Sequence, residues 1–466
     1  MKPSLDKNDE EKTQVVPPRR GFLQRVAAAS ALGAAGLASS GNSLAASGRE
    51  ADAPRVDDDR RGGYWITTWS GSAHGAYPLG TAVAQPDLQY AFPDAATGAN
   101  NQSFRLIVRP TVWGEQFRLR FSNLFGTQPV TLDDIHLGLQ ASAGTLVKES
   151  NRRVTFQGSR QVTLPPGSSL WSDPVRLRYL NPADSDMLQG RKLAVSFHVV
   201  GSSGPMTWHS KAMQTSYVSA PGSGSLAADE TDREFVYSTA SWYFLDAVDV
   251  IGPRDSATMV TFGDSITDGT GSTLNGDDRW PDVLTRRLHA AYGNRFAVAN
   301  AGIGGNRIVS DSPTGGPSAL SRLEQDVLGL SGVAGIVWFE GINDLRGGTS
   351  AQAIIEGIRQ GVALLRERAP GIRIVQGTIT SDKGNATTTP EVEAGRQEVN
   401  AFIRTATIFD GVVDFDVITA DPATGELRLE FQPNSTTAAV DKLHPNRAGY
   451  LAMGNAVDIQ LLAPKR

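Results

Sequence analysis

The chain has 466 residues, of which 40% are hydrophobic and 20% charged, and its formal net charge is −5. This is too long for one ordinary domain and has the balance of a globular chain. No Lys/Arg-rich run could follow a phosphate backbone, so nucleic acid is not an expected partner. With no cysteine in the sequence, disulfides, thiolate metal sites and a Cys nucleophile are excluded.

At the N-terminus, Arg19-Arg20-Gly21-Phe22-Leu23 precedes a small, apolar run from Val26 to Ala38 and then Ser43-Leu44-Ala45, an A-x-A-like cleavage site. Residues 1–45 thus have the layout of a twin-arginine export signal. The expected partner of the precursor is the twin-arginine export machinery, and the expected destination is periplasmic or extracellular. The apolar run falls short of the roughly 20 residues that span a bilayer, so no membrane anchor is expected. Residues 46–62 are polar, charged and without apolar periodicity, which suits a flexible lead-in.

Over 63–250 the pattern has period two. Phe104, Leu106 and Val108 alternate with Arg105, Ile107 and Arg109; Phe117, Leu119 and Phe121 alternate with Arg118 and Arg120; and Leu193, Val195, Phe197 and Val199 repeat the pattern. Turn-rich pieces such as Pro165-Pro166-Gly167 separate these runs and no strong amphipathic helix intervenes. The expectation is an all-β, jelly-roll-like antiparallel sandwich.

After Ile251-Gly252-Pro253 the character changes. Short β-rich runs at 257–262, 296–299, 336–339, 372–379 and 412–415 alternate with helical stretches near 278–292, 317–330, 350–369, 391–407 and 446–461. This alternation predicts parallel strands joined by crossover helices over 251–466, with ligands bound beyond the carboxyl ends of the strands.

The first of these strands runs into Gly263-Asp264-Ser265-Ile266-Thr267-Asp268-Gly269. Ser265 would stand just past the strand end, with N–H groups of the following turn directed at any negative charge formed beside it. A serine hydroxyl needs a base, and the chain has only 6 histidines. In Asp441-Lys442-Leu443-His444-Pro445, a carboxylate three residues ahead of an imidazole can hold Nδ1–H while Nε2 faces the serine. His136 and His198 fall on strands and His289 within a helix, where structural roles are expected. Gly305 and Asn343, after the second and third strands, are candidate oxyanion donors. Alone, Gly304-Gly305 reads equally as a tight turn, Asn343-Asp344 as a helix cap and Asp441 as a loop acid. Asp264 is expected to satisfy nearby backbone N–H groups.

With these residues in this order, 257–466 resembles the SGNH (GDSL) hydrolases: Gly263-Asp264-Ser265, Gly305, Gly341-x-Asn343-Asp344 and Asp441-x-x-His444-Pro445 match the family's blocks. The resemblance implies a three-layer α/β/α fold with a flavodoxin-like parallel sheet. It also implies a triad of Ser265, His444 and Asp441, and an oxyanion hole from the Ser265 N–H, the Gly305 N–H and the Asn343 amide. More loosely, the chain is similar to secreted two-domain bacterial members described as arylesterase-like or xylan-esterase-like. No Gly-x-Ser-x-Gly elbow or His-Glu-x-x-His cluster is present, and no cofactor or metal is called for.

The expected reaction is hydrolysis of a short, acetyl-type ester of a carbohydrate or aryl alcohol. Trp208 and His209 are candidate substrate contacts alongside Trp65, Trp69 and Trp113, since aromatic faces pack on sugar rings. These tryptophans would serve equally as sandwich core. The alternatives are a lipase or lysophospholipase for longer chains, acyl transfer to another sugar, and a polysaccharide-binding protein on a spent hydrolase scaffold.

Overall fold

A computed structural model of the protein describes residues 64–83, 85–180, 187–433 and 441–463. The expected export signal 1–45 and lead-in 46–62 lie outside the described residues.

Five buried apolar runs form one parallel sheet, as segments covered on both faces do. Its order is Phe296–Gly302, Ala257–Gly263, Val333–Phe339, Arg373–Gly377 and Gly411–Val413, each strand parallel to its neighbour. That is the 2-1-3-4-5 order of a flavodoxin-like sheet, whose crevice opens at the carboxyl end of the first strand, here Gly263. Helices Trp280–Tyr292 and Arg447–Ala456 pack together, while Ala351–Arg368 contacts Ala319–Leu323 and Pro390–Thr405, giving the two outer layers. Ala351–Arg368 shows why these segments are helical. Ser350 caps it through Ala353 N, and Ile354, Ile355, Ile358, Val362 and Leu365 form one buried stripe at the spacing of a core-facing helix.

Two helices are shorter than expected. The stretch near 317–330 is an α-helix only over Ala319–Leu323 and widens to a π turn over Glu324–Leu328, closed by Gly329 N donating to Glu324 O. The stretch near 446–461 ends at Ala456, where Val457 is extended, and resumes as a 3-10 turn at Ile459–Leu461.

The preceding region is antiparallel. One sheet joins Tyr64–Ser70, Leu245–Gly252, Gln116–Ser122 and Val175–Arg176, and a larger one is built around Asn100–Val108, Leu193–Ser202 and Val130–Ser142. Phe104, Leu106 and Val108 meet Phe117, Leu119 and Phe121 between them, all fully buried, as the alternation requires.

The polar faces of these strands are covered as well. Arg105 is buried and donates to Gly144 O and Thr231 O, with its guanidinium 4.2 Å from the Phe235 ring. Arg120 pairs with Asp246 at 2.7 Å and donates to Gly329 O, while Arg118 reaches Asp249 at 2.9 Å and Ser331 Oγ at 3.1 Å. Gly329 and Ser331 belong to the parallel-sheet region, so this sheet's charged face is the seam between the two regions. Across the same seam Ser70 Oγ donates to Asn300 O and Val298 N donates to Thr111 Oγ1. These bonds satisfy edge-strand groups of Phe296–Gly302 that the parallel sheet leaves unpaired.

Candidate active site

Asp264 follows the first parallel strand in an extended conformation, and its Oδ1 accepts from Ile266 N, capping the one-turn helix Ser265–Asp268. This is the satisfying role expected of a short acid before a helix. Burial, reinforced by the charges of Asp344 and Asp268, pushes the Asp264 carboxyl up to about 7, against the Ile266 hydrogen bond and the Arg322 charge. The turn ends at Gly269, whose N–H returns to Ser265 O. Tyr450 Oη then fixes the next residue by donating to Thr270 O at 2.6 Å.

Ser265 Oγ lies 2.8 Å from His444 Nε2, and His444 Nδ1 lies 2.7 Å from Asp441 Oδ2. The other Asp441 oxygen accepts from Leu443 N at 2.9 Å and His444 N at 3.1 Å, a local turn that sets the imidazole three residues on. Burial opposes ionisation of Asp441, but the His444 hydrogen bond and charge, with the two backbone donors, hold its carboxyl down at about 2. An acid so ionised fixes Nδ1 as the protonated nitrogen and leaves Nε2 free to accept the Ser265 proton. Chemically the line can turn a hydroxyl into a nucleophile.

The other candidates lie around the loop after Phe296–Gly302. Ile303 N donates to Gly263 O, and Gly304 N donates to Asp268 Oδ2 at 2.9 Å, tying this loop to the Ser265 turn. Gly305 follows with φ 79°. Asn343 donates from Nδ2 to Asn306 O at 3.0 Å, and the adjacent Asp344 accepts from Ile308 N and Val309 N. The Asn343-Asp344 pair therefore clamps the loop that carries Gly305.

Trp208 and His209 are placed otherwise than expected. Trp208 is 2% exposed, donates from Nε1 to Leu79 O and stacks on Tyr243, so no face of its indole is open to a substrate. His209 is also buried and contacts Asp268 Oδ1 at 3.1 Å, behind the Ser265 turn. Trp69 and Trp113 are likewise core residues, and Trp65 lies under the Arg118 guanidinium. The apolar bodies of these rings are spent on the sandwich.

Three residues at the site had no distinguishing mark in the sequence. Arg322 is 4% exposed, donates to Asn306 Oδ1, Ala301 O, Gly263 O and Asp326, and sits 3.9 Å from the Phe262 ring centroid. Lys211 is buried and reaches Thr270 Oγ1 at 2.6 Å. Asp268 joins His209 to Gly304 N. Arg322 falls within an ordinary amphipathic stretch and Lys211 comes from the antiparallel region, so only their partners, distant in sequence, reveal them.

Residues 261–452 match the family of GDSL-like lipases/acylhydrolases. No curated protein matches the chain. Among solved structures, a carbohydrate acetylesterase family member from Sinorhizobium meliloti is 20% identical, covering 44% of this chain and 99% of its own, with a TM-score of 0.35. A lipase/acylhydrolase from Enterococcus faecalis is 22% identical, covering 45% and 99%, with a TM-score of 0.33. A second Sinorhizobium meliloti carbohydrate acetylesterase is 14% identical, covering 43% and 96%, with a TM-score of 0.34. Residues 261–452 are thus a GDSL-like lipase/acylhydrolase domain of the SGNH kind, and the chain is a carboxylic ester hydrolase.

Proposed function

We propose that the protein is an exported serine esterase that hydrolyses short, acetyl-type esters of carbohydrate or aryl alcohols. The observation that carries the mechanism is the unbroken line from Asp441 through His444 to Ser265, with contacts of 2.7 and 2.8 Å. In this reading His444 Nε2 takes the Ser265 proton as Oγ attacks the ester carbonyl, and the imidazolium then protonates the departing alcohol. Water, deprotonated by the same nitrogen, releases the acid from the acyl-serine. The Ser265 N–H, the Gly305 N–H and the Asn343 amide receive the oxyanion. Asn343 spends one N–H on Asn306 O, and a primary amide carries a second.

The acetyl-type acyl group and the carbohydrate or aryl alcohol are proposed on the looser resemblance of the chain to arylesterase-like and xylan-esterase-like members. Export is proposed on the N-terminal pattern alone.

The test is hydrolysis of p-nitrophenyl acetate, butyrate and octanoate by the mature protein beside Ser265→Ala and His444→Ala. Both variants should lose about 10⁴-fold or more in kcat, and the acetate should be the best ester. A best rate on octanoate would refute the acyl preference, and an active Ser265→Ala the mechanism.

A further inference from the structure

The antiparallel region contributes a buried histidine to the immediate support of the Ser265 turn. His209 lies on the strand Thr207–His209 and is 5% exposed. Its Nδ1 is 2.8 Å from Ser72 O, and its Nε2 is 3.0 Å from Lys211 O and 3.1 Å from Asp268 Oδ1. Every neighbour is an acceptor, and carbonyl oxygens cannot donate, so both ring nitrogens must carry hydrogen. His209 is therefore held as an imidazolium against the Asp268 carboxylate. Burial disfavours the charge, but Asp268 and the two carbonyls outweigh it and raise the His209 pKa. Other titratable groups face the pair from elsewhere: Arg279 donates to Asp268 O at 3.5 Å, Lys211 bonds Thr270, and the His74 ring, whose pKa burial and the His209 charge lower to about 4, lies 6.3 Å from that of His209.

Asp268 is the last residue of the Ser265 turn, and its second oxygen accepts from Gly304 N at 2.9 Å. We propose that His209 is a positioning residue for the oxyanion hole: it fixes the Asp268 carboxylate, which fixes the Ile303–Gly304 peptide relative to Ser265, one link before the peptide that carries the Gly305 N–H. The inference rests on the proposed roles of Ser265 and Gly305. It gives the antiparallel region a part in catalysis without contact with substrate.

The test compares wild type, His209→Ala, His209→Gln and Ser265→Ala on p-nitrophenyl acetate, with phenylboronic acid as a tetrahedral adduct former at Ser265. His209→Ala should lower kcat about 10- to 100-fold with KM within about twofold, since only the oxyanion's donors are displaced. Its affinity for phenylboronic acid should fall by the same factor, and His209→Gln, which still offers one N–H to Asp268, should recover part of both. A folded His209→Ala with kcat within twofold of wild type overturns the inference, whereas an active Ser265→Ala overturns the serine mechanism beneath it. Should His209→Ala not fold, nitrogen NMR of the wild type decides. Both His209 nitrogens should be protonated at pH 8 and their signals should move on adding phenylboronic acid; a neutral or unresponsive ring overturns the inference.

Discussion

Gly302→Ala probes how tightly the Ser265 turn is wedged against the sheet. A methyl at this position would lie 2.2 Å from Asp268 N and 2.6 Å from Thr267 C, where ordinary contact begins at 3.4 Å. Relief at Asp268 N requires a displacement of about 1.2 Å, from 2.2 to 3.4 Å. Neither side yields easily: Gly302 is paired with Gly263 in the sheet and its N–H is held by Asn300 Oδ1, while Asp268 N is bonded to Asp264 O. Overpacking of this kind costs about 1–3 kcal/mol, and a shift of about 1 Å in a catalytic constellation costs about 10²-fold in rate. The expected outcome is a folded protein, slightly less stable to urea, with kcat on p-nitrophenyl acetate reduced about 10²-fold. Gly371→Ala is the control, because its φ of 89° is strained for alanine but nothing lies within 4 Å of the new methyl; stability should fall and kcat should not. A Gly302→Ala enzyme within threefold of wild-type kcat would refute the wedge.

Arg322→Met leaves Asp326 without its cation and Asn306 Oδ1, Ala301 O and Gly263 O without that donor. Breaking a buried pair in this way should cost about 3–5 kcal/mol, and a loss below about 1 kcal/mol in urea unfolding would contradict it. Glu340 is fully buried, and burial, with Asp264 and Asp344 adding repulsion against the pull of Arg322, pushes its carboxyl up to about 8 from 4.5. The folded chain then holds a proton that the unfolded chain releases, so stability declines as pH rises through that window. Glu340→Gln should make the decline between pH 5 and 8 shallower, and an unchanged slope would count against the shift. Trp208→Phe removes the bond to Leu79 O at a cost of about 1 kcal/mol and should leave KM within twofold, whereas a several-fold rise in KM would restore Trp208 as a substrate contact.

Much of the architecture was legible because it repeats along the chain. The alternation of Phe104, Leu106 and Val108 with polar residues follows from the two faces of a strand, and the buried stripe of Ala351–Arg368 follows from the helical turn. Element ends were less legible. Nothing in Glu324–Leu328 announces a π turn, and the end of the last helix at Ala456 depends on what the following residues pack against. The period-two pattern also showed only that Arg105, Arg118 and Arg120 share faces opposite the core. It could not show that a loop covers the first and the parallel-sheet region covers the other two.

At the site, the sequence by itself determined what is local. The carboxylate of Asp441 reaches its own chain two and three residues on, and the Ser265 turn is set by Asp264 before it. Tertiary structure alone decided the rest. Ser265 meets His444 across 179 residues, and His209 meets Asp268 across 59. The physical reason is that a hydrogen bond to a neighbouring residue is fixed by a few backbone dihedrals. One between distant segments exists only when sheet order, seam and helix packing bring both partners within 3 Å or so. For the same reason Trp208, exposed or buried with equal ease by its sequence neighbourhood, became core once the Thr207–His209 strand closed over Leu79 and Tyr243.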